Sequence, residues 1–258
     1  MSAPAIERGS RLRLVGHKGA DAIRPGNTLE SFAVAVEAGV DTIELDVLWT
    51  PDGHPKLPAA ERAPLLIAHD GPEFDQLAGL TRYCGAMIAA GELPPHRVAL
   101  LSPGPRDEWY SGSARYARAL ASDVLPALNP VDSVAMGASL GALAMLHAHV
   151  RHPFAGLFLQ SGSFFVLRHD SQEHRHPRFR RIVRVTRELQ RDAGIPEPVV
   201  MTCGIAEENL ANNRLMAGAL ARQEFDVELH EVPDMHNYTA WRDAFDPHLT
   251  RLLRQMCP

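Results

Sequence analysis

Cysteine is scarce in this 258-residue chain. Cys84, Cys203 and Cys257 are too few and too scattered for a disulfide framework or a zinc site. No run of 18 apolar residues occurs, so no membrane-spanning helix is expected. The opening MSAPAIERGS lacks the apolar stretch of a secretion signal. There is no basic block, and the net charge of −5 argues against a nucleic-acid surface. Internal repeats and low-complexity tracts are also missing. These absences point to a reduced, cytoplasmic setting and a small-molecule partner, and they leave the oligomeric state open. What remains is an ordinary globular composition, 45% hydrophobic and 22% charged, long enough for one large domain or two small ones.

The organisation is an alternation. Short β-branched runs (RLRLVG, DTIELDVLW, PLLIAHD, RVALLSP, SVAMG, GLFLQSG, PVVMTCG, DVELHEV) are separated by segments of helical period, which predicts an α/β fold with a mostly parallel sheet. SVAMG and PVVMTCG are apolar on both faces, as buried parallel strands are. A first helix is marked by Asn27 and Glu30 as a capping box, by the apolar face Leu29, Phe32, Ala33 and Val36, and by Gly39 as its stop. Residues 51–64, with four prolines, read as a linker. Residues 168–177 carry His169, His174 and His176 without the spacing of a metal site, so a solvated loop is expected there.

The chemistry concentrates in SVAMGASLGALAMLHA. Gly137-Ala138-Ser139-Leu140-Gly141 sits between a buried strand and an alanine- and leucine-rich helix, the strand–turn–helix setting of a nucleophile elbow. Ser139 must occupy a strained turn with its hydroxyl in the cleft. Side chains at 137 and 141 are expected to collide with neighbouring backbone. The helix that follows aims its N-terminus, and the Leu140 N–H, at a developing oxyanion. A serine nucleophile needs a base and an acid, and in such folds they follow in the order serine, acid, histidine. Glu207 and Glu208 lie just beyond the strand PVVMTCG, and His236 lies in the loop after DVELHEV, both at strand C-terminal ends. Glu207 is preferred because it stands three residues after Gly204; Glu208 is the alternative. His230 falls inside a strand, and His147, His149 and His152 follow the elbow as ordinary helix or loop residues.

From about residue 64 onward the chain resembles the esterases that include esterase D-like, enterochelin-esterase-like and mycolyltransferase proteins. The residues carrying the resemblance are HDGPEFD (69–75), PRDEWYSGSARYARALASDVLPAL (105–128), MGASLGALAML (136–146), LQSGSFF (159–165), CGIAEENLANNRLMAGAL (203–220) and HNYTAWRDAFDPHL (236–249). The resemblance implies an α/β-hydrolase with Ser139 as nucleophile, Glu207 as acid and His236 as base, working without a cofactor or metal. It also implies a second oxyanion N–H from the loop after LLIAHD. Pro72 has none to give, which leaves Gly71 or Glu73, and Gly71 is adopted. Arg106 and Glu108 match an R-x-E pattern beside the cleft, read as an ordering ion pair in preference to substrate contacts. Phe164, Phe165, Tyr238 and Trp241 are expected as apolar lining or core.

Residues 12–70 resemble a different family. VGHKGADAIRPGNTLESFAVAVEAGVDTIELDV, continued by LLIAHD, is similar to the opening of the glycerophosphodiester phosphodiesterases, which are TIM barrels. The resemblance implies His17 and His69 as acid/base histidines and Glu44 and Asp46 as oxygen ligands for Ca²⁺ or Mg²⁺. Lys18 stands where that pattern has arginine and Gly26 where it has glutamate. A closed barrel takes about 250 residues, and here the pattern stops at Asp70. The expectation is therefore a chimera. Residues 1–63 would be a phosphodiesterase-like βαβ fragment packed on or beside the core, and residues 64–258 a serine esterase acting on small-molecule esters. A metal phosphodiesterase and a catalytically inactive fusion are the alternatives.

Overall fold

The computed structural model describes residues 15–17, 42–44, 64–128 and 130–256. The chain divides into two compact units, Met1–Val47 and Leu48–Pro258. In the first, β1 (Val15–His17) and β2 (Thr42–Glu44) pair in parallel, with Val15 opposite Thr42 and His17 opposite Glu44. A parallel pair needs a crossover connection. The helix expected between these strands at residues 27–39 lies outside the described residues, as do Lys18, Gly26, Asp46 and residues 51–63 of the linker.

The second unit is built on six parallel strands: β3 (Leu65–His69), β4 (Arg97–Leu101), β5 (Ser133–Ala138), β6 (Gly156–Gln160), β7 (Val199–Gly204) and β8 (Val227–Val232). Their order across the sheet is β4-β3-β5-β6-β7-β8. Each of the eight β-branched runs of the sequence overlaps a strand of these two sheets. Residues alternate between faces with the strand period of two. Leu65, Ile67, Ala135, Leu157 and Met201 pack against the helices Ala114–Ala119, Leu140–His149, Phe179–Leu189 and Leu210–Ala221. Leu66, Ala68, Val134, Met136 and Phe158 pack against Gly71–Ala78, Leu80–Ala89, Tyr238–Asp243 and Thr250–Met256. Both faces of the central strands are therefore covered, which explains why those runs are apolar without alternation. The described part of this unit is an α/β sheet of the α/β-hydrolase type.

The strand order also locates the site. β3 is bonded to β4 on one side and to β5 on the other. The connections leaving β3 and β5 therefore diverge, and a crevice opens at their C-terminal ends. Asp70 and Gly71 leave β3 there, and Ser139 leaves β5.

Candidate active site

Ser139 joins β5 to the helix Leu140–His149 with φ 56° and ψ −121°, a conformation that L-residues avoid. Its neighbours hold it there. The Ser139 N–H donates to the Gln160 carbonyl at 2.9 Å, and its own carbonyl accepts from Ser163 N–H at 3.1 Å. A Cβ on Gly137 would lie 2.5 Å from the Gly141 carbonyl carbon, so the backbone collision expected at 137 is real. At Gly141 the expectation needs correction. A Cβ there would meet the His69 Cβ at 3.3 Å and the Asp70 carboxylate at 3.5 Å, which is crowding against side chains rather than backbone. The helix passes close over the end of β3 at that point. Leu140 is the first helical residue, so its N–H has no carbonyl one turn back to bond.

Glu207 follows β7 in a tight turn, its N–H donating to the Gly204 carbonyl at 3.1 Å. A Cβ on Gly204 would fall 2.2 Å from the Asp234 carbonyl oxygen, so only glycine lets the two loops approach this closely. The Glu207 side chain is 3% exposed. Its Oε1 accepts from Ser161 Oγ at 2.7 Å and from Gly204 N–H at 2.8 Å, and its Oε2 pairs with His236 Nδ1 at 2.7 Å. Burial pushes the carboxyl pKa up, but the hydrogen bonds from His236, Ser161 and Gly204 outweigh it and hold it below the usual value. Glu208 also lines the cleft, but its carboxylate accepts from Gln172 Nε2 at 3.2 Å and not from the imidazole. The carboxylate that meets the imidazole is therefore Glu207. His236 lies edge-on to the Trp241 ring at 5.1 Å, and with Nδ1 engaged its Nε2 is left for a second partner.

Ser139, Leu140, Glu207 and His236 line one cleft of about 580 Å³, with Ser163, Phe165 and His176 also on its wall. The Ser139 hydroxyl is hydrogen-bonded to the Ser163 hydroxyl at 3.0 Å, not to His236. Gly71 opens the helix Gly71–Ala78 behind Asp70, which holds φ 52°. A Cβ at Gly71 would lie 2.4 Å from the Leu100 Cα, so this position too admits only glycine. Arg106 clamps Asp70 by Nε–H to Oδ1 at 2.9 Å and Nη2–H to Oδ2 at 2.8 Å. The ion pair expected between Arg106 and Glu108 is not formed. The two residues are two apart on the single turn Arg106–Trp109 and so do not share a face. Glu108 instead bridges Arg178 and Arg181.

His69 is fully buried, accepts or donates one hydrogen bond with Tyr116 Oη at 2.8 Å, and has its pKa lowered to about 3 by burial and by Arg106. An imidazole so placed cannot carry protons to and from an open cleft. Phe164 is core, Phe165 lines the cleft, Tyr238 packs edge-on to Phe74, and Trp241 donates Nε1–H to Ser161 Oγ at 3.0 Å. His230 lies in β8 and stacks on His248 at 3.9 Å. His149 is buried, with Nε2 at 2.7 Å from the Ile195 carbonyl. The segment 168–177 is more than a solvated loop, because Glu173 and His176 reach the cleft wall. Among the described residues no group of three or more histidine, cysteine or acidic side chains is placed to hold a metal ion, and no helix is long and apolar enough to cross a membrane. Ser161, Ser163, Asn209 and Asn213 were not singled out in the sequence. The available signal was a run of small polar residues, SGS, at the C-terminal end of a buried strand.

Comparison with known proteins gives two matches along one chain. Residues 44–252, most of the chain, match the family described as "Putative esterase". Residues 17–57 match the glycerophosphoryl diester phosphodiesterase family. A Mycobacterium tuberculosis protein named "Probable glycerophosphodiester phosphodiesterase 1" is 46% identical over 41 residues, 16% of this chain and 15% of that protein. The chain thus spans about 15% of the length of that curated relative. Among solved structures, enterochelin esterase from Shigella flexneri is similar with a TM-score of 0.65 at 21% identity, over 81% of this chain and 54% of the other. This chain therefore spans about half the length of that protein. S-Formylglutathione hydrolase from Staphylococcus aureus is similar with a TM-score of 0.53 at 14% identity, over 74% and 80% of the two chains. At these identities the structures speak for the fold, and the family match speaks for membership. The chain belongs to the esterase family.

Proposed function

We propose that the protein is a serine hydrolase of carboxylic esters, acting through Ser139, His236 and Glu207. The observation carrying this reading is the 2.7 Å contact between His236 Nδ1 and the buried Glu207 carboxylate, in the same cleft as a serine on a strained elbow. Glu207 holds the imidazole with its proton on Nδ1, so Nε2 can take the Ser139 proton. Ser139 Oγ then attacks the ester carbonyl, and the alcohol leaves with that proton. Water, deprotonated in turn by His236, releases the acid from the acyl-enzyme. The Leu140 and Gly71 N–H groups are assigned to the carbonyl oxygen as it gains charge. The reading requires no metal or cofactor. The test is labelling of the purified protein by a fluorophosphonate probe together with turnover of p-nitrophenyl esters. Absence of both would favour a catalytically inactive fusion.

In this reading the Asp70–Arg106 clamp sets the Gly71 N–H. Arg106→Gln is expected to lower ester turnover about 10- to 100-fold, the effect of a lost hydrogen bond to a charged group. Arg106→Lys should recover little of it, because an ammonium cannot make the two-point contact. Steady-state kinetics on both variants checks this, and unimpaired turnover in Arg106→Gln would remove the clamp from the mechanism.

The phosphodiesterase match at residues 17–57 supports a second reading, in which His17, Glu44 and Asp46 act with a divalent cation. It is ranked lower because the match ends before His69 and His69 is sealed in the core. We take residues 1–63 as a phosphodiesterase-like fragment joined to an esterase domain at 64–258. A chelator is expected to leave p-nitrophenyl ester hydrolysis unchanged, and glycerophosphodiesters should not be cleaved with added Mg²⁺ or Ca²⁺. Chelator-sensitive release of glycerol 3-phosphate would reverse the ranking.

A further inference from the structure

Ser163 has no task in the mechanism above, yet it touches the reacting atom. It is 3% exposed, and among the described residues the one hydrogen-bond partner of its hydroxyl is Ser139 Oγ, at 3.0 Å. Its N–H donates to the Ser139 carbonyl at 3.1 Å, so its backbone is tied to the residue its side chain meets.

The loop that carries Ser163 is held far more tightly than a connection between a strand and a helix requires. Ser161 sits at φ 47°, and a Cβ on Gly162 would be 2.1 Å from the Phe164 ring. The buried Asn213 accepts from Gly162 N–H at 2.9 Å and donates to the Gly162 carbonyl at 3.0 Å, and Asn209 donates to the Ser161 carbonyl at 3.0 Å. Buried amides are costly unless satisfied, and here they are satisfied by fixing the backbone of two adjacent residues, Ser161 and Gly162. The result is that the hydroxyl of the first residue of Ser-Gly-Ser meets the acid and that of the last meets the nucleophile. Ser161 Oγ donates to Glu207 at 2.7 Å while accepting from Trp241 Nε1–H at 3.0 Å.

We propose that Ser163 is a further catalytic residue of this cleft, donating its O–H to Ser139 Oγ while that oxygen carries negative charge. This rests on the acyl-transfer reading. Two hydroxyls share one hydrogen bond, and its direction matters. With Ser163 as donor, the Ser139 proton is free to point at His236. In acylation the Ser139 O–H bond breaks, its proton passes to His236 Nε2, the Oγ pair forms the bond to the carbonyl carbon, and the carbonyl π pair moves onto its oxygen. Ser163 keeps its own proton throughout. Its hydrogen bond strengthens as Oγ gains charge, so it favours the transition state over the ground state. In deacylation Ser139 Oγ is the leaving atom, receives the electron pair of the breaking C–O bond and recovers a proton from His236. The same donation assists that step.

The test is Ser163→Ala, followed by p-nitrophenyl ester kinetics and by the rate constant of fluorophosphonate labelling. Both kcat and the labelling rate constant are expected to fall about 10- to 100-fold, as for loss of a hydrogen bond to a charged group. KM should stay within about threefold, since the bond strengthens only at the transition state. Ser163 does not titrate, so the pH–rate profile should drop in parallel without shifting. Unchanged or faster labelling would overturn the proposal, because Ser139 would then be the donor and Ser163 a resting partner. A displaced pH profile would also overturn it, by assigning the effect to His236. So would a loss confined to the fraction of protein labelled, at an unchanged rate constant, which is what misfolding produces. Ser139→Ala run in parallel separates the two claims: labelling that survives there defeats the acyl-enzyme reading whatever Ser163→Ala does.

Discussion

Ser139→Ala is expected to lower ester turnover by about 10⁶-fold, the scale of nucleophile removal in serine hydrolases, and to abolish fluorophosphonate labelling. Any residual rate would come from the oxyanion donors and substrate binding alone. The variant should stay folded, since the Ser139 hydroxyl makes one hydrogen bond and its backbone remains tied to Gln160 and Ser163. A second substitution sharpens the claim. Ser139→Gly should lose turnover equally but unfold at higher temperature, because φ 56°, ψ −121° costs a side-chain-bearing residue about 1–3 kcal/mol that glycine avoids. Thermal melts of the two variants measure that difference. Labelling that persists in Ser139→Ala would place the nucleophile elsewhere in the chain.

Glu207→Gln is expected to cost about 10⁴-fold in kcat. The amide oxygen can still accept from Ser161 and the Gly204 N–H, so the substitution preserves shape. Its NH₂ group, however, would face His236 Nδ1, which must then accept a hydrogen bond. That moves the imidazole proton to Nε2, the nitrogen needed to receive the proton of Ser139. Glu208→Gln should lose far less, because Glu208 bonds Gln172 rather than the imidazole. The opposite ranking would reassign the acid. Stability should follow pH in a defined direction. The folded-state pKa of Glu207 is depressed, so its contribution is complete above the unfolded-state value and is lost as pH falls through the folded one. The melting-temperature gap between wild type and Glu207→Gln should therefore narrow on acidification. A gap that widened toward acid pH would show that the carboxyl is not held in its charged form.

Much of this protein is legible in the sequence because the controlling forces are local. The central strands β3, β5, β6 and β7 announce themselves as apolar runs, because a strand covered on both faces must be continuously apolar. The elbow is readable at Gly137, Ser139 and Gly141 because strand, tight turn and helix follow within a few residues, and at Gly137 a Cβ would strike the backbone four residues on. Glu207 and His236 could be placed at strand C-terminal ends by chain order alone. The contact between them, which separates Glu207 from Glu208, depends on how two loops 29 residues apart pack against each other.

The remaining features were decided by tertiary structure. R-x-E reads as a pair in one dimension, but one helical turn points Arg106 at Asp70 and Glu108 at Arg178 and Arg181, more than thirty residues away in either direction. His69, a proton shuttle by resemblance, became a neutral core residue because β3 is covered on both faces. The contacts of Ser-Gly-Ser at 161–163 were hidden for the same physical reason. Small hydroxyl residues carry no periodicity or charge pattern, and their contacts appear only when β5, β6, β7 and the start of the helix Leu210–Ala221 bring Ser139, Glu207 and two buried asparagines within hydrogen-bonding distance of one loop. Composition and local pattern determined the strands and the elbow, because backbone sterics and burial act on neighbouring residues. The partners of each polar side chain were decided by the fold, because hydrogen bonds depend on distance in space and not on separation along the chain.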